Sequence, residues 1–201
     1  MKNNLSFYES VYYNIINNKL EENNKILFII DNYFNPFDFF NYIIKKYNIY
    51  IYIVIDNINI YNKILENING EECYKNVNIY LKLSQINNIS FDKIVIGHIH
   101  SIEYLNELLK LILKLCNKNS LLYIYSSLSN EKISKIDYKN YIRNQIMSYL
   151  PYKMGSLISF SDFTKEIENN KEYNIESMKI YKKNNYLIYG DNIVYETILR
   201  L

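Results

Sequence analysis

Apolar and polar residues fall into blocks along the chain, and the blocks alternate in period. Leu5, Tyr8, Val11, Tyr12, Ile15 and Ile16 recur at helical spacing across residues 5–20, which predicts an amphipathic helix within an N-terminal helical segment, 1–22. The next run, Ile26-Leu27-Phe28-Ile29-Ile30-Asp31, is too apolar for a strand with one wet face and predicts a buried parallel strand. Asn35 then caps a predicted helix that has Pro36 at its first position, Phe39, Phe40, Ile43 and Ile44 on one face, and Lys45 and Lys46 near its end. The same alternation predicts a strand over 50–56, a helix over 60–68 closed by Gly70, and strands over 77–81 and 93–97. The strongest helical stripe, Ile102, Leu105, Leu108, Leu109, Ile112 and Leu113, predicts a helix over 101–116, followed by a strand over 121–125.

Strands alternating with helices of this length imply right-handed crossovers and a mostly parallel sheet covered on both faces. The tail changes character. A polar-flanked helix is predicted over 138–149, Pro151 breaks the pattern, and 178–201 holds strand-like runs separated by Lys-Asn-Asn and Gly-Asp-Asn turns. The expected fold class is α/β: a Rossmann-like, doubly wound, mostly parallel sheet with a C-terminal antiparallel hairpin built from residues 172–201. At 201 residues, with neither linker nor internal repeat in view, one domain over 1–201 is expected.

Composition narrows the function classes more than the fold. Net charge is +2 and the lysines are dispersed among Asp and Glu, so the concentrated basic field of a dedicated nucleic-acid binder is missing and nucleic acid is not indicated. Cys73 and Cys116 form no Cys-x-x-Cys pair, which fits a reducing compartment and excludes a zinc ribbon or disulfide framework. The apolar runs are far too short to span a bilayer and no leader pattern opens the chain, so a cytoplasmic protein without a membrane role is expected. Alanine is absent, only four glycines occur, and Asn, Ile, Lys and Tyr dominate. That bias suggests an AT-rich genome, and Asn in loops is given little weight for that reason. Gly-x-Ser-x-Gly, P-loop, His-Glu-x-x-His and dinucleotide fingerprints are all missing, which removes the corresponding hydrolase, nucleotide triphosphatase, zinc protease and dehydrogenase readings.

Phe91-Asp92-Lys93-Ile94-Val95-Ile96-Gly97, the following helix, and Asn117-Lys118-Asn119-Ser120 leading into Leu121-Leu122-Tyr123-Ile124 resemble the fourth strand, helix, turn and fifth strand of class I S-adenosylmethionine-dependent methyltransferases. That family usually has Pro-Gly-Gly in the turn, where Asn119 and Ser120 stand here. The resemblance implies a methyltransferase-like domain with a cofactor site at the first strand-to-helix turn. There Asp31 takes the place of the family's acidic residue, but Asn32-Tyr33-Phe34-Asn35-Pro36 holds no glycine, whereas a Gly-x-Gly loop lets the backbone approach the cofactor at positive φ. Asp56, ending the second strand, matches the acidic residue that hydrogen-bonds the ribose hydroxyls.

Two readings follow from the resemblance. One is a non-catalytic scaffold without cofactor that binds a protein partner, similar to the N-terminal methyltransferase-like domain of the iron-sulfur assembly protein anamorsin, with the cysteine-rich segment of that protein absent from this sequence. The other is a diverged, active methyltransferase in which Asp31 and Asp56 hold S-adenosylmethionine and His98 or His100 aids proton removal. His98 and His100 form a His-x-His pair at the end of the fourth strand, where two side chains on one face can serve as acid/base groups, metal ligands or structural residues. No third ligand lies at motif spacing, so no metal is assigned. Tyr33 and Phe34 could stack on an adenine or plug a vacated pocket, both cysteines read as inert, and the lysines of 179–183 as solvated edge residues.

Overall fold

The computed structural model describes residues 20–30, 48–70, 72–97, 102–126, 160–169, 172–182 and 193–201. The helices expected over 5–20, after Pro36, and over 138–149 lie outside these residues. In chain order the described elements are β1 (Lys25–Ile30), β2 (Tyr50–Ile55), α1 (Ile58–Ile68), β3 (Val77–Tyr80), β4 (Phe91–Gly97), α2 (Ile102–Ile112), β5 (Cys116–Ser126), α3 (Phe160–Asn169), β6 (Asn174–Lys182) and β7 (Ile193–Arg200).

The strands form one seven-stranded sheet in the order β3-β2-β1-β4-β5-β7-β6. Pairings from β3 through β5 are parallel, and β7 runs antiparallel to both β5 and β6. The doubly wound sheet and its C-terminal antiparallel hairpin are therefore present. The reversed strand is inserted between β5 and β6, so β6 joins the sheet only through β7.

Successive residues of a strand face opposite sides, and the in-register pairing of Ile26, Phe28 and Ile30 beside Ile51, Ile53 and Ile55 lines up one buried face. Ile64 of α1 is buried in the same cluster. The opposite face carries Leu27, Ile29, Ile94, Ile96, Leu122 and Ile124 beneath Leu105, Leu108, Leu109 and Ile112 of α2 and Phe163 and Ile167 of α3. A strand apolar on both faces belongs in the middle of such a sandwich, and β1, with Ile26 through Ile30 all buried, is there. On this face Tyr52 meets Phe91 edge-on, ring centroids 5.0 Å apart, and burial with Tyr80 and Tyr50 nearby raises its phenol pKa.

Several boundaries differ from expectation for identifiable reasons. The helix expected over 101–116 ends at Ile112, tightens into a 3-10 turn at Leu113–Leu115, and gives way to strand at Cys116. Pairing then skips from Phe91↔Cys116 to Lys93↔Leu121, so residues 117–120 bulge out of β5. Asn119 sits there at φ 73, in the left-handed region that among non-glycine residues Asn tolerates best. Ser120 is buried with Oγ 2.7 Å from both Phe91 O and Asn117 O, and its single hydrogen serves one of them at a time. Asp92 accepts from Lys25 N (2.8 Å) and Asn117 Nδ2 (3.0 Å). The Phe91-Asp92 pair thus ties the starts of β1, β4 and β5 together at the edge of the sheet opposite the expected ligand site. β6 starts at Asn174, inside the 172–201 span expected for the hairpin and ahead of the strand-like run from 178, and α3 was not expected at all. The link from β3 to β4 is a single 3-10 turn, Leu83–Gln85, with Ile86 buried in the place of a crossover helix.

Candidate functional site

The winding of the sheet reverses between β1 and β4: from β1 the chain proceeds outward to β2 and β3, then returns to β4 on the other side of β1. Crossovers then diverge onto opposite faces, and a crevice opens at the carboxyl ends of the strands, where ligands of open α/β sheets bind. Ile30 of β1 pairs with Ile55 of β2, so Asp56, the next residue after Ile55, stands just past the level at which β1 ends. Gly97, at the corresponding end of β4, pairs with Tyr125 of β5. Asp31, His98 and His100 themselves lie outside the described residues, as do Tyr33 and Phe34.

Asp56 is exposed and its carboxylate has no hydrogen-bond partner among the described residues. An Asp at a strand end can cap the helix that follows, but here the cap is Asn57. Its side chain accepts from Asn59 N (2.9 Å) and Ile60 N (3.2 Å) with its backbone at φ -96, ψ 112, which satisfies donors that the first turn of α1 would otherwise leave orphaned. The division of labour leaves the Asp56 carboxylate available as an acceptor for a pair of hydroxyls. Ile58, in the first turn of α1 beside it, is 50% exposed.

Other titratable groups belong to the scaffold. Burial pushes the Cys116 thiol up to about 11, against a smaller opposing effect of Ser120, and Cys116 Sγ donates to Ile112 O at 3.3 Å. A thiol held protonated is a poor nucleophile. Lys93 is buried and donates from Nζ to Asn24 Oδ1 at 2.7 Å, far down the strand from the carboxyl edge. Neither Asn57 nor the pair Lys93 and Asn24 was singled out in the sequence. A capping Asn directly before a helical stripe was a readable signal for the first, set aside when Asn was discounted. No local pattern marks the second, whose partners are brought together only by the β1–β4 pairing.

Among the described residues no group of three or more His, Cys, Asp and Glu can hold a metal ion. No helix among them is long and apolar enough to cross a membrane.

No protein-family model matches the chain, and a search of curated proteins finds no match in sequence. Solved structures do match its fold. The mycolic acid cyclopropane synthase CmaA1, complexed with SAH and CTAB, superposes with a TM-score of 0.71 at 11% identity, covering 100% of this chain and 87% of that one. Coclaurine N-methyltransferase bound to N-methylheliamine and SAH gives 0.67 at 9% identity, covering 100% and 75%. The [4+2]-cyclase SpnF gives 0.70 at 7% identity, covering 96% and 80%. The fold is therefore methyltransferase-like. At such identities the likeness is one of architecture, and the three names describe three different reactions on that architecture.

Proposed function

Starting from a methyltransferase-like fold whose first crossover contains no glycine, we propose that this chain is a non-catalytic scaffold that acts through a protein partner, as its resemblance to the N-terminal domain of anamorsin implies. The observation that carries the reading is the sequence between Ile30 and Ile49. It follows β1 directly in sequence, holds no glycine, and has Tyr33, Phe34 and Pro36 in the stretch where the family carries the glycines that let its backbone approach the cofactor. A Cβ at those positions and two aromatic rings oppose that approach. Iron-sulfur assembly in the cytoplasm is the setting implied by the resemblance, with cluster binding left to other polypeptide, since the sequence offers only two cysteines.

A second reading has its own support in Asp56. Its carboxylate, at the carboxyl end of β2 and without a hydrogen-bond partner among the described residues, would accept hydrogen bonds from a ribose diol, and Asp31 follows Ile30 in sequence. S-adenosylmethionine, when bound, would supply an electrophilic methyl group. The chain's part would be to hold the ribose through Asp56 and to take a proton from the methyl acceptor at an imidazole nitrogen of His98 or His100.

Thermal unfolding with and without millimolar S-adenosylmethionine separates the two. Ligand at about 100 times its dissociation constant stabilises a fold by about 2.7 kcal/mol, a shift of several degrees for a domain of this size. The scaffold reading expects no shift, and Asp56→Ala should leave a folded, partner-competent protein. A saturable shift that Asp56→Ala abolishes overturns the scaffold reading in favour of the enzyme.

A further inference from the structure

Asn69-Gly70 is the one Asn-Gly step in the sequence, and it falls where α1 stops. Asn69 caps the helix with its backbone at φ -62, ψ 125, and its N–H donates to Leu65 O at 3.0 Å. Gly70 follows at φ 84, with nothing within 4 Å of the place a Cβ would take. Both residues are exposed. Among the described residues neither the Asn69 carboxamide nor the Gly70 N–H makes a hydrogen bond. An electrophilic side-chain carbon and the backbone nitrogen next to it are thus both unengaged, and Gly70 puts no side chain in the way of their meeting. Other asparagines are held or shielded. Asn57 is fixed by the two backbone N–H groups it caps, and Asn67 donates from Nδ2 to Lys63 O at 2.8 Å within α1. Asn88 is followed by the branched Ile89. Asn119 precedes a small residue, Ser120, but Asn119 N donates to Leu201 O and Ser120 O accepts from Leu201 N, both at 3.2 Å, and Ser120 is buried.

We infer that Asn69 is a site of spontaneous deamidation through a cyclic imide, and that the modification loosens the end of α1. The Gly70 nitrogen, giving its proton to solvent, bonds to Asn69 Cγ as the backbone of Asn69 turns, and the carboxamide nitrogen leaves as ammonia. The ring so closed contains C, Cα, Cβ and Cγ of Asn69 and the nitrogen of Gly70. Water then adds to either ring carbonyl. Breaking the new Cγ–N bond restores the main chain with aspartate at 69. Breaking the original C–N bond leaves isoaspartate, whose main chain runs through Cβ and is longer by one methylene. Either product sets a carboxylate at the carboxyl end of α1, whose last turn has no basic residue, against the negative end of the helix dipole. Isoaspartate also lengthens the link between Ile68, packed on the core beneath α1, and Tyr74, buried in the 3-10 turn before β3. Asn69 stands at the other end of α1 from Asp56, so the inference is independent of either functional reading.

The test incubates the full chain in mildly alkaline buffer, folded and in urea. Samples are digested by pepsin in acid and mapped by mass spectrometry, with fragmentation that separates aspartate from isoaspartate. Asn69 should gain the mass of an amide becoming an acid, isoaspartate should exceed aspartate, and the rate should rise with pH because the attacking nitrogen must lose its proton. Asn69 should react nearly as fast folded as unfolded, whereas folding should slow Asn119 by about tenfold or more, because its backbone must first leave its hydrogen bonds. Protection of Asn69 on folding to the same degree, or aspartate without isoaspartate, overturns the inference. The aged fraction should have a lower urea midpoint and faster amide exchange in the last turn of α1 than the unaged chain. Asn69→Gln, whose ring would be one atom larger and closes far more slowly, should keep both through the same incubation. An isoaspartate fraction with an unchanged midpoint, or an Asn69→Gln chain that loses stability equally, overturns the link to α1.

Discussion

Cys116 illustrates how a single side chain reports its surroundings. The thiol donates to Ile112 O where α2 has just ended, and burial raises its pKa from the ordinary 9.0 to about 11. Between those values the unfolded chain has lost the proton and the folded chain keeps it, so the folded state binds more protons and stability falls as pH rises through that window. The difference in urea midpoint between wild type and Cys116→Ala should therefore change in that direction from pH 9 to pH 11, and iodoacetamide should label Cys116 more slowly in the native than in the unfolded chain. Asparagine teaches the complementary lesson. Asn23, Asn88 and Asn119 adopt φ of 64, 58 and 73, conformations usually left to glycine, in a chain that has four glycines. Asn119→Gly should be tolerated, whereas Asn119→Val should cost about 1–2 kcal/mol by urea denaturation. Compositional bias hid these residues in the sequence: when Asn is everywhere, its presence in a loop separates a left-handed turn or a cap such as Asn57 from drift only once the backbone is known.

At the scale of elements, what was legible was what periodicity encodes. The buried runs of β1, β2, β4 and β5 and the stripes of α1 and α2 are apolar enough to have only one home, and each was placed within a few residues of its observed bounds. α3 was missed because, among its described side chains, Phe163 and Ile167 are the only buried anchors in a mostly polar stretch, Phe160–Asn169. Those two residues close the cluster over α2, so Phe163→Ala should cost about 3–5 kcal/mol in the same denaturation assay. Thr197 on β7 makes the opposite case. Its Oγ1 is buried without a hydrogen-bond partner in the described structure, among Ile124, Met178 and Leu199. Replacing a buried, unpaired hydroxyl by a methyl of like shape removes a desolvation cost, and Thr197→Val should leave the urea midpoint unchanged or raise it. The candidate site was only half legible for a related reason. Asp56 follows a strand whose register is set by β1, but no pattern in 31–49 or in His98-Ile99-His100 fixes where those side chains stand relative to it.

At the scale of the whole molecule, one sheet joins two cores that would otherwise be separate. Ile198 belongs to the cluster beneath α1 and Leu199, its neighbour in sequence, to the cluster beneath α2 and α3. Both sit on β7, which pairs with β5 on one side and β6 on the other, and just past it Leu201 exchanges hydrogen bonds with Asn119 and Ser120 at the start of β5. A strand so placed cannot leave one core without leaving both, so the two faces should unfold together. Ile198→Ala and Leu199→Ala should each lower stability by about 2–5 kcal/mol. In each variant, urea transitions followed by far-ultraviolet circular dichroism and by tyrosine fluorescence should superimpose. Transitions that separate in Leu199→Ala would show instead that the face under α2 and α3 melts by itself. Native-state amide exchange supplies the spatial check: β1, β4 and β5 should exchange only at the global rate, and the outward amides of Val77 and Ile79 on β3 much faster.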